Sequence, residues 1–454
     1  MPNTGLLKQP PVVAIIVAGC LIAMLNFGVR SSFGLFLEPM TTTRGWDRET
    51  FALAMAIQNL LWGFGVPIAG ALADRYGPVV VMLLGSIVYA AGLWAMSVVE
   101  APFAFYMTAG VLTGIGVAFT SFSLVMTAMA KAVGPERRSL AMGAGASAGS
   151  FGQVIFSPLG LVFIESFGWE ASLTYMAFLV LMIIPLAVML PKSRAAGMAT
   201  VESEVKFATA IKEAFSHRGF LLLTAGFFVC GFHVSFISVH LPAYVVDLGM
   251  EARVGAYALA IVGLFNILGA FLGGAAGQKW SKKSALTVIY FLRGIVITGL
   301  VLAPPSELTI YIFAATMGML WLSTVPLTNA IVGQVFGMQW LGTLFGLVFL
   351  SHQLGSFIGV WLGGYVYDST GSYDFVWWCG VGLAFVAAGL HWPINETPLA
   401  RLQVGDGQVV LAKSASTAQI RAPRAPARAS AQPEIVIASG LVMIAIAVAM
   451  HFAH

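Results

Sequence analysis

Apolar residues in this chain gather into long runs, separated by short segments that carry the charges, prolines and many of the glycines. The runs are about 20 residues or longer, the length an α-helix needs to cross a bilayer. None shows the two-residue alternation of a membrane β-strand. Twelve of them precede residue 400, from 12–36 to 375–391. The pattern predicts an all-α membrane protein with twelve transmembrane helices. The longest polar interruption, 191–218, splits the runs six and six. It sets the expected boundaries: an N-terminal six-helix bundle over 1–190, a cytoplasmic linker over 191–218 with an amphipathic helix near 207–215, and a C-terminal six-helix bundle over 219–391. An Ala-, Pro- and Arg-rich tail follows over 392–434 and reads as disordered. A further apolar run, 435–452, is long enough for a thirteenth membrane helix.

Composition narrows the class. Charged residues are 9% of the chain and hydrophobic ones 59%, whereas a soluble domain carries roughly 25% charged residues. Soluble, disordered and fibrous proteins are excluded, and the lipid bilayer becomes the first partner. A net charge of +4 over 454 residues is too dilute to suggest nucleic acid. Cys20, Cys230 and Cys379 stand far apart within apolar runs, so neither a disulfide framework nor a zinc site is implied, and no cofactor is expected. There is no GxxxxGK[ST] phosphate loop and no nucleophile–base pair, which argues against ATP drive and against an enzyme.

Charge sets the expected orientation. With the N-terminus inside, the inner loops hold 13 Lys and Arg and the outer loops only Arg44, Arg48 and Arg253, while the outer loops carry 11 carboxylates. Positive residues favour the cytoplasmic side, so a multi-pass protein of the cell membrane with a cytoplasmic N-terminus is expected.

The two sets of six runs share sequence features. Gly70-Ala-Leu-Ala-Asp74-Arg75-Tyr76-Gly77 follows run 2, and Gly274-Ala-Ala-Gly-Gln278-Lys279-Trp280-Ser281 follows run 8, 204 residues later. Gly149-Ser150-Phe151 in run 5 recurs as Gly355-Ser356-Phe357 in run 11, 206 residues later. Two agreeing offsets point to duplicated halves in the same orientation, with a substrate site between them near mid-bilayer.

Twelve runs, the six-plus-six split and the Gly70–Gly77 motif resemble the major facilitator superfamily. A narrower likeness, to monocarboxylate transporters, rests on Arg137-Arg138-Ser-Leu140-Ala141-x-Gly143, on Ala148-Gly149-Ser150-x-Gly152 with Ser157-Pro158-Leu159, and on Asp368-x-Thr-Gly371-Ser-Tyr373. Arg30 in the first helix resembles the place where that family keeps a basic residue. Two departures accompany the likeness. Lys8-Gln-Pro-Pro11 stands where the family has an acidic-Gly-Trp motif. Asn266 and Ala270 align with the Asp and Arg that its proton-coupled members carry in helix 8.

Ionisable groups deep in the runs are few: Arg30, Arg293, His233 and His352, with His240 nearer an end, and no deep Asp or Glu. An Arg at mid-bilayer costs from about 2.5 kcal/mol upward, so each needs a reason. With no resident carboxylate, the substrate can supply the counter-charge. Asn26, Arg30 and Gly34 share one helix face, and a guanidinium can hold a carboxylate through two parallel hydrogen bonds. Arg293 reads either as a second anion contact or as a structural Arg bonded to neighbouring helices. His233, His240 and His352 titrate near neutral pH and are candidates for a coupling proton; their alternative is a neutral imidazole bonded between helices. Gln153 and Asn266 are expected at the cavity, and Gln58, Asn59, Thr324 and Asn329 between helices. Gly355, Gly359 and Gly363 form a smooth helix face. Gly70, Asp74, Arg75 and Gly77 are expected to gate.

The expectation is a secondary transporter that moves a small organic anion, a monocarboxylate by resemblance, through alternating access, as symporter or antiporter. An exporter of drugs or amphipathic metabolites is the rival, and a non-transporting membrane sensor the alternative of another class.

Overall fold

The structure, a computed structural model, describes residues 11–133, 138–190, 205–337 and 339–402. Among these, eleven helical stretches are long and apolar enough to cross a membrane. They are α1 (Val12–Arg44), α2 (Arg48–Tyr76), α3 (Pro78–Val98), α4 (Pro102–Met129), a 48-residue stretch Ala141–Val188 that holds α5 and α6, then α7 (Arg218–Asp247), α8 (Ala252–Lys279), α9 (Lys282–Leu302), α10 (Glu307–Phe336), α11 (Leu341–Thr370) and α12 (Asp374–His391). The 48-residue stretch is two helices because Gly168 takes φ 79° and ψ 161°. Phe163 and Tyr175 bring their ring centroids to 5.8 Å across it, where a straight helix would hold them about 18 Å apart. The chain therefore folds back at Gly168, which divides this stretch into α5 and α6.

Two helices are broken inside the membrane. In α4 the turn Tyr106–Leu112 is π-helical, and the helix stops at Thr120 before restarting at Phe122. In α10 it stops after Leu320 and restarts at Thr324. Pro326 explains the second break, since it has no N–H to give the Leu322 carbonyl and its ring crowds that turn. The sequence reading took each as one continuous run.

Contacts repeat between the first six helices and the second six. The Asn26 amide donates to Thr120 Oγ1 at 2.6 Å, and Cys230 Sγ lies 3.4 Å from Thr324 Oγ1; each residue of the second pair stands 204 positions after its counterpart. Gly114 abuts the Gln58 backbone as Gly318 abuts that of Val262, at the same offset. The smooth face of α11 packs on α7: a Cβ on Gly359 would stand 2.6 Å from the Phe232 carbonyl oxygen, and one on Gly355 would overlap that of Phe228.

The loops after odd-numbered helices lie at one end of the bundle and those after even-numbered helices at the other. At mid-length, a Cβ on Gly63 of α2 would meet Gln353 of α11 at 2.8 Å. Three turns toward the odd-loop end, Gly364 meets Ala52 at 2.6 Å. Two turns the other way, on the same helix faces, Gly70 and Gly346 have nothing within 4 Å. The two sets of helices therefore close at the odd-loop end and part toward the even-loop end.

The tail begins later than expected. Residues 393–402 are held against the even-loop end. Glu396 Oε1 accepts from the Lys283 amide at 2.5 Å, the Leu399 amide donates to the Val335 carbonyl at 3.0 Å, and Arg401 pairs with Glu213 at 3.1 Å. Glu213 belongs to the short helix Phe207–Ser216, the amphipathic helix expected in the linker. The rest of the tail, with the apolar run 435–452, lies outside the described residues.

Candidate functional site

Arg30 lies near the end of the regular part of α1, just before a 3-10 turn at Phe33–Phe36. Its guanidinium donates to Asn59 Oδ1 from α2 and sits 4.5 Å above the Trp62 ring. Asn59 and Trp62 are three apart on one helix face, so α2 presents an amide and an aromatic face together. Arg30 Nε has no hydrogen-bond partner. A small cavity stands beside it, lined by Arg30, Met55, Gln58, Asn59, Ser235 and Ser238 among others. Four of these carry an uncharged polar tip and one the cation. A carboxylate entering here would meet the unused Nε–H and could displace the Asn59 amide, in keeping with the fork geometry of guanidinium–carboxylate pairs. As described, the cavity is about 20 Å³, room for one or two waters, so an organic anion requires the surrounding helices to separate.

An aromatic layer links Arg30 to the second six helices. Trp62 meets Phe349 edge-on at 5.6 Å, and Phe349 stacks on His352 at 5.7 Å and 11°. His352 Nδ1 lies 3.1 Å from Gln353 Oε1. His352 thus lies in the same aromatic layer as Arg30, on the facing helix.

The other expected site residues are turned elsewhere. Asn26 bonds α4 at Thr120. His233 donates from Nε2 to the Gly380 carbonyl of α12 at 2.8 Å, which is the interhelical-bond reading. Asn266 bridges three helices: its amide donates to Ser150 Oγ of α5 at 2.9 Å, and its oxygen accepts from the Leu322 amide in the α10 break at 3.0 Å. Gln153 packs against Gly263 beside that bridge, with Oε1 unpaired. Arg293 donates to the Leu320 carbonyl at 2.5 Å and to the Trp321 carbonyl at 2.6 Å. Those carbonyls are freed by the break, and Arg293 satisfies them. Of the residues expected to gate, Arg75 lies 5.2 Å from the Tyr76 ring and Gly77 ends α2 with φ 92°. Gly70 has open space around it, and the Asp74 side chain lies outside the described residues.

A second polar cluster, not expected from the sequence, seals the odd-loop end. Arg48 pairs with Asp247 through both guanidinium nitrogens and donates to the Tyr373 hydroxyl at 2.9 Å. Asp368 caps α2 from the facing helix, accepting from the Arg48 and Glu49 amides at 3.0 and 2.6 Å. An acid at a helix N-terminus satisfies amides that have no partner within the helix. Trp361 Nε1 donates to Glu49 at 2.8 Å. His240 Nε2 faces the Val360 carbonyl at 2.8 Å and so donates, which leaves Nδ1, 3.2 Å from Tyr373, to accept from its hydroxyl. Burial pushes the Tyr373 phenol up, with Arg48 pulling the other way, so that proton stays in place at neutral pH. The one sequence signal was the Asp368–Tyr373 ending, noted for its family likeness alone.

Comparison with known proteins agrees with this architecture. Residues 19–360 match the Major Facilitator Superfamily, and the chain belongs to that superfamily, a class of transporters and not of enzymes. It is 25% identical over 392 residues to the uncharacterized MFS-type transporter YcxA of Bacillus subtilis strain 168, covering 83% of this chain and 92% of that one. It is 25% identical over 370 residues to monocarboxylate transporter 13 of Rattus norvegicus, covering 80% and 84%. It is 24% identical over 372 residues to the agnestins efflux protein AgnL12 of Paecilomyces divaricatus, covering 79% and 81%. Among solved structures, a bacterial homologue of the human lysosomal transporter Spinster, inward-facing and occupied, superposes with a TM-score of 0.68 at 14% identity over 85% of this chain and 97% of that one. The D-xylose–proton symporter gives 0.65 at 16% identity over 85% and 99%.

Proposed function

We propose that this transporter carries a small organic anion, a monocarboxylate, by alternating access between two six-helix bundles, 1–190 and 219–391, with Arg30 as the substrate contact. The observation that carries the reading is Arg30 itself: a guanidinium with uncharged partners and a free Nε–H, beside a cavity between α1, α2 and α7. The relatives named monocarboxylate transporters support the substrate class. The positive-inside asymmetry puts the even-loop end in the cytoplasm, so the described state opens inward and the Arg48 cluster is the closed outer gate. Candidates for a coupling proton are His352, in the Arg30 layer, and His233, whose Nδ1 has no partner while Nε2 bonds the Gly380 carbonyl. Export is the second reading, and the likeness to an efflux protein supports it.

Uptake into proteoliposomes, across a panel of labelled carboxylates and neutral apolar compounds, tests the proposal. The expected result is carboxylate flux. Flux of the neutral compounds alone would replace the anion reading with the export one.

A further inference from the structure

We infer that the anion taken at this site is an aryl carboxylate, its carboxylate held by Arg30 and the Trp62 N–H and its ring packed against Phe349. The inference rests on Arg30 as the substrate contact and names what the anion carries beyond its charge. Trp62 and Phe349 belong to opposite sets of helices, α2 and α11, and meet edge-on at 5.6 Å. Their contact stands one turn to the even-loop side of Asn59 and Gln353. Beyond it the two helices part at Gly70 and Gly346. Rings continue from there: Phe349 stacks on His352, His352 lies 5.0 Å from Phe227 of α7, and Phe227 lies 6.2 Å from Phe345. Phe345 and Phe349 are only half-buried. A substrate coming from the even-loop end thus passes ring faces before it meets the cation.

The Trp62 Nε1–H is buried without a partner, as is the Arg30 Nε–H. A buried indole N–H ordinarily finds an acceptor. The guanidinium carbon already lies 4.5 Å from the Trp62 ring centroid, and one carboxylate has acceptor sites for both donors. The cavity of about 20 Å³ admits no organic anion until the helices separate, and that separation draws Trp62 away from Phe349. The Phe349 ring then loses its partner. Aromatic rings attract one another edge-on or offset at centroid distances of about 4.5–7 Å. An aryl ring on the carboxylate takes the place Trp62 has left. A short alkyl chain covers little of that face, and a saturated ring covers its area without the ring–ring attraction. The site therefore ranks carboxylates by their rings as well as by their charge.

Calorimetric titration of the purified full-length protein with benzoate, cyclohexanecarboxylate and propionate tests this. Benzoate should bind at least about threefold more tightly than cyclohexanecarboxylate and about tenfold more tightly than propionate. Phe349→Leu keeps an apolar side chain and removes the ring, so its benzoate-to-cyclohexanecarboxylate ratio should fall toward one. Trp62→Phe keeps a ring and removes the N–H. It should weaken both of these ligands alike, about tenfold, and keep their ratio. Equal parent affinities for benzoate and cyclohexanecarboxylate would overturn the inference and leave the Arg30 site standing, as would the parent ratio in Phe349→Leu or the parent affinities in Trp62→Phe. Binding of none of the three carboxylates would overturn both. Should either variant fail to fold, the parent ratio decides alone.

Discussion

Arg48 at the start of α2 and Asp247 at the end of α7 meet as a two-pronged ion pair, with Nη1–Oδ2 at 2.6 Å and Nη2–Oδ1 at 2.8 Å. They come from opposite sets of helices, so the pair exists only while the odd-loop end is closed. Tyr367 lies under the same guanidinium at 3.7 Å, and Asp368 holds the backbone just beside it. Closure at this end is thus built from charge and backbone caps.

Removing one prong should open the gate. The pair is partly exposed, at 12% and 25%, so its loss is worth roughly 1–2 kcal/mol, about a tenfold shift toward the open form. Arg48→Ala should therefore speed the reaction of an impermeant maleimide, added from the odd-loop side, with a cysteine placed at Ser238 in a cysteine-free background. Labelling at the parent rate would remove the gate assignment.

Gly364 gives the same end a steric test. A Cβ there would stand 2.8 Å from Glu49 Cα and 2.9 Å from the Arg48 carbonyl oxygen, both backbone atoms. Gly364→Ala should push α2 and α11 apart at the odd-loop end and slow transport, with little loss of thermal stability because the even-loop contacts are untouched. An unchanged turnover rate would show that this approach does not limit closure.

Arg293 and Arg30 should fail in different ways. Arg293→Ala leaves the Leu320 and Trp321 carbonyls unpaired inside the protein, at about 1–3 kcal/mol each. Its melting temperature in detergent should drop clearly, while substrate affinity in the folded fraction stays close to that of the parent. Arg30→Gln should keep its melting temperature and lose transport. If Arg293→Ala keeps full stability, its carbonyl bonds are not what holds the α10 break.

The strap after α12 separates two truncations. A chain ending at Leu402 keeps the Glu396, Leu399 and Arg401 bonds and should transport as the full chain does. A chain ending at Trp392 loses all three and frees the helix Phe207–Ser216 from Arg401, so it should melt lower. Thermal stability measured on both chains checks this, and equal melting temperatures would show the strap to be passive.

The helices, and Arg30 as a candidate, could be read from the sequence because both follow from one-dimensional facts. A run of about 20 apolar residues has few alternatives to a membrane helix, and a lone guanidinium within one must have a use. The gate could not be read so. Arg48 and Asp247 are 199 residues apart, and Arg48 and Asp368 are 320 apart. Each looks like an ordinary charge at a helix end until the two sets of helices are brought together. Asn26 and Asn266 were placed at the substrate because a polar residue on an apolar helix suggests a cavity. Their partners are the breaks in α4 and α10, which a hydropathy pattern does not reveal. Arg293 was left between two roles for the same reason, although Pro326 was a visible sign that α10 could break there.

The account rests most heavily on Arg30 as the anion contact, and equilibrium binding tests that most directly. Calorimetric titration of a transported monocarboxylate into the purified parent, Arg30→Lys and Arg30→Gln should show three levels. The parent binds, Arg30→Lys binds more weakly because the charge remains without the two-pronged fork, and Arg30→Gln shows no measurable heat while still melting at the parent temperature. Binding by a folded Arg30→Gln with the parent Kd would contradict the account.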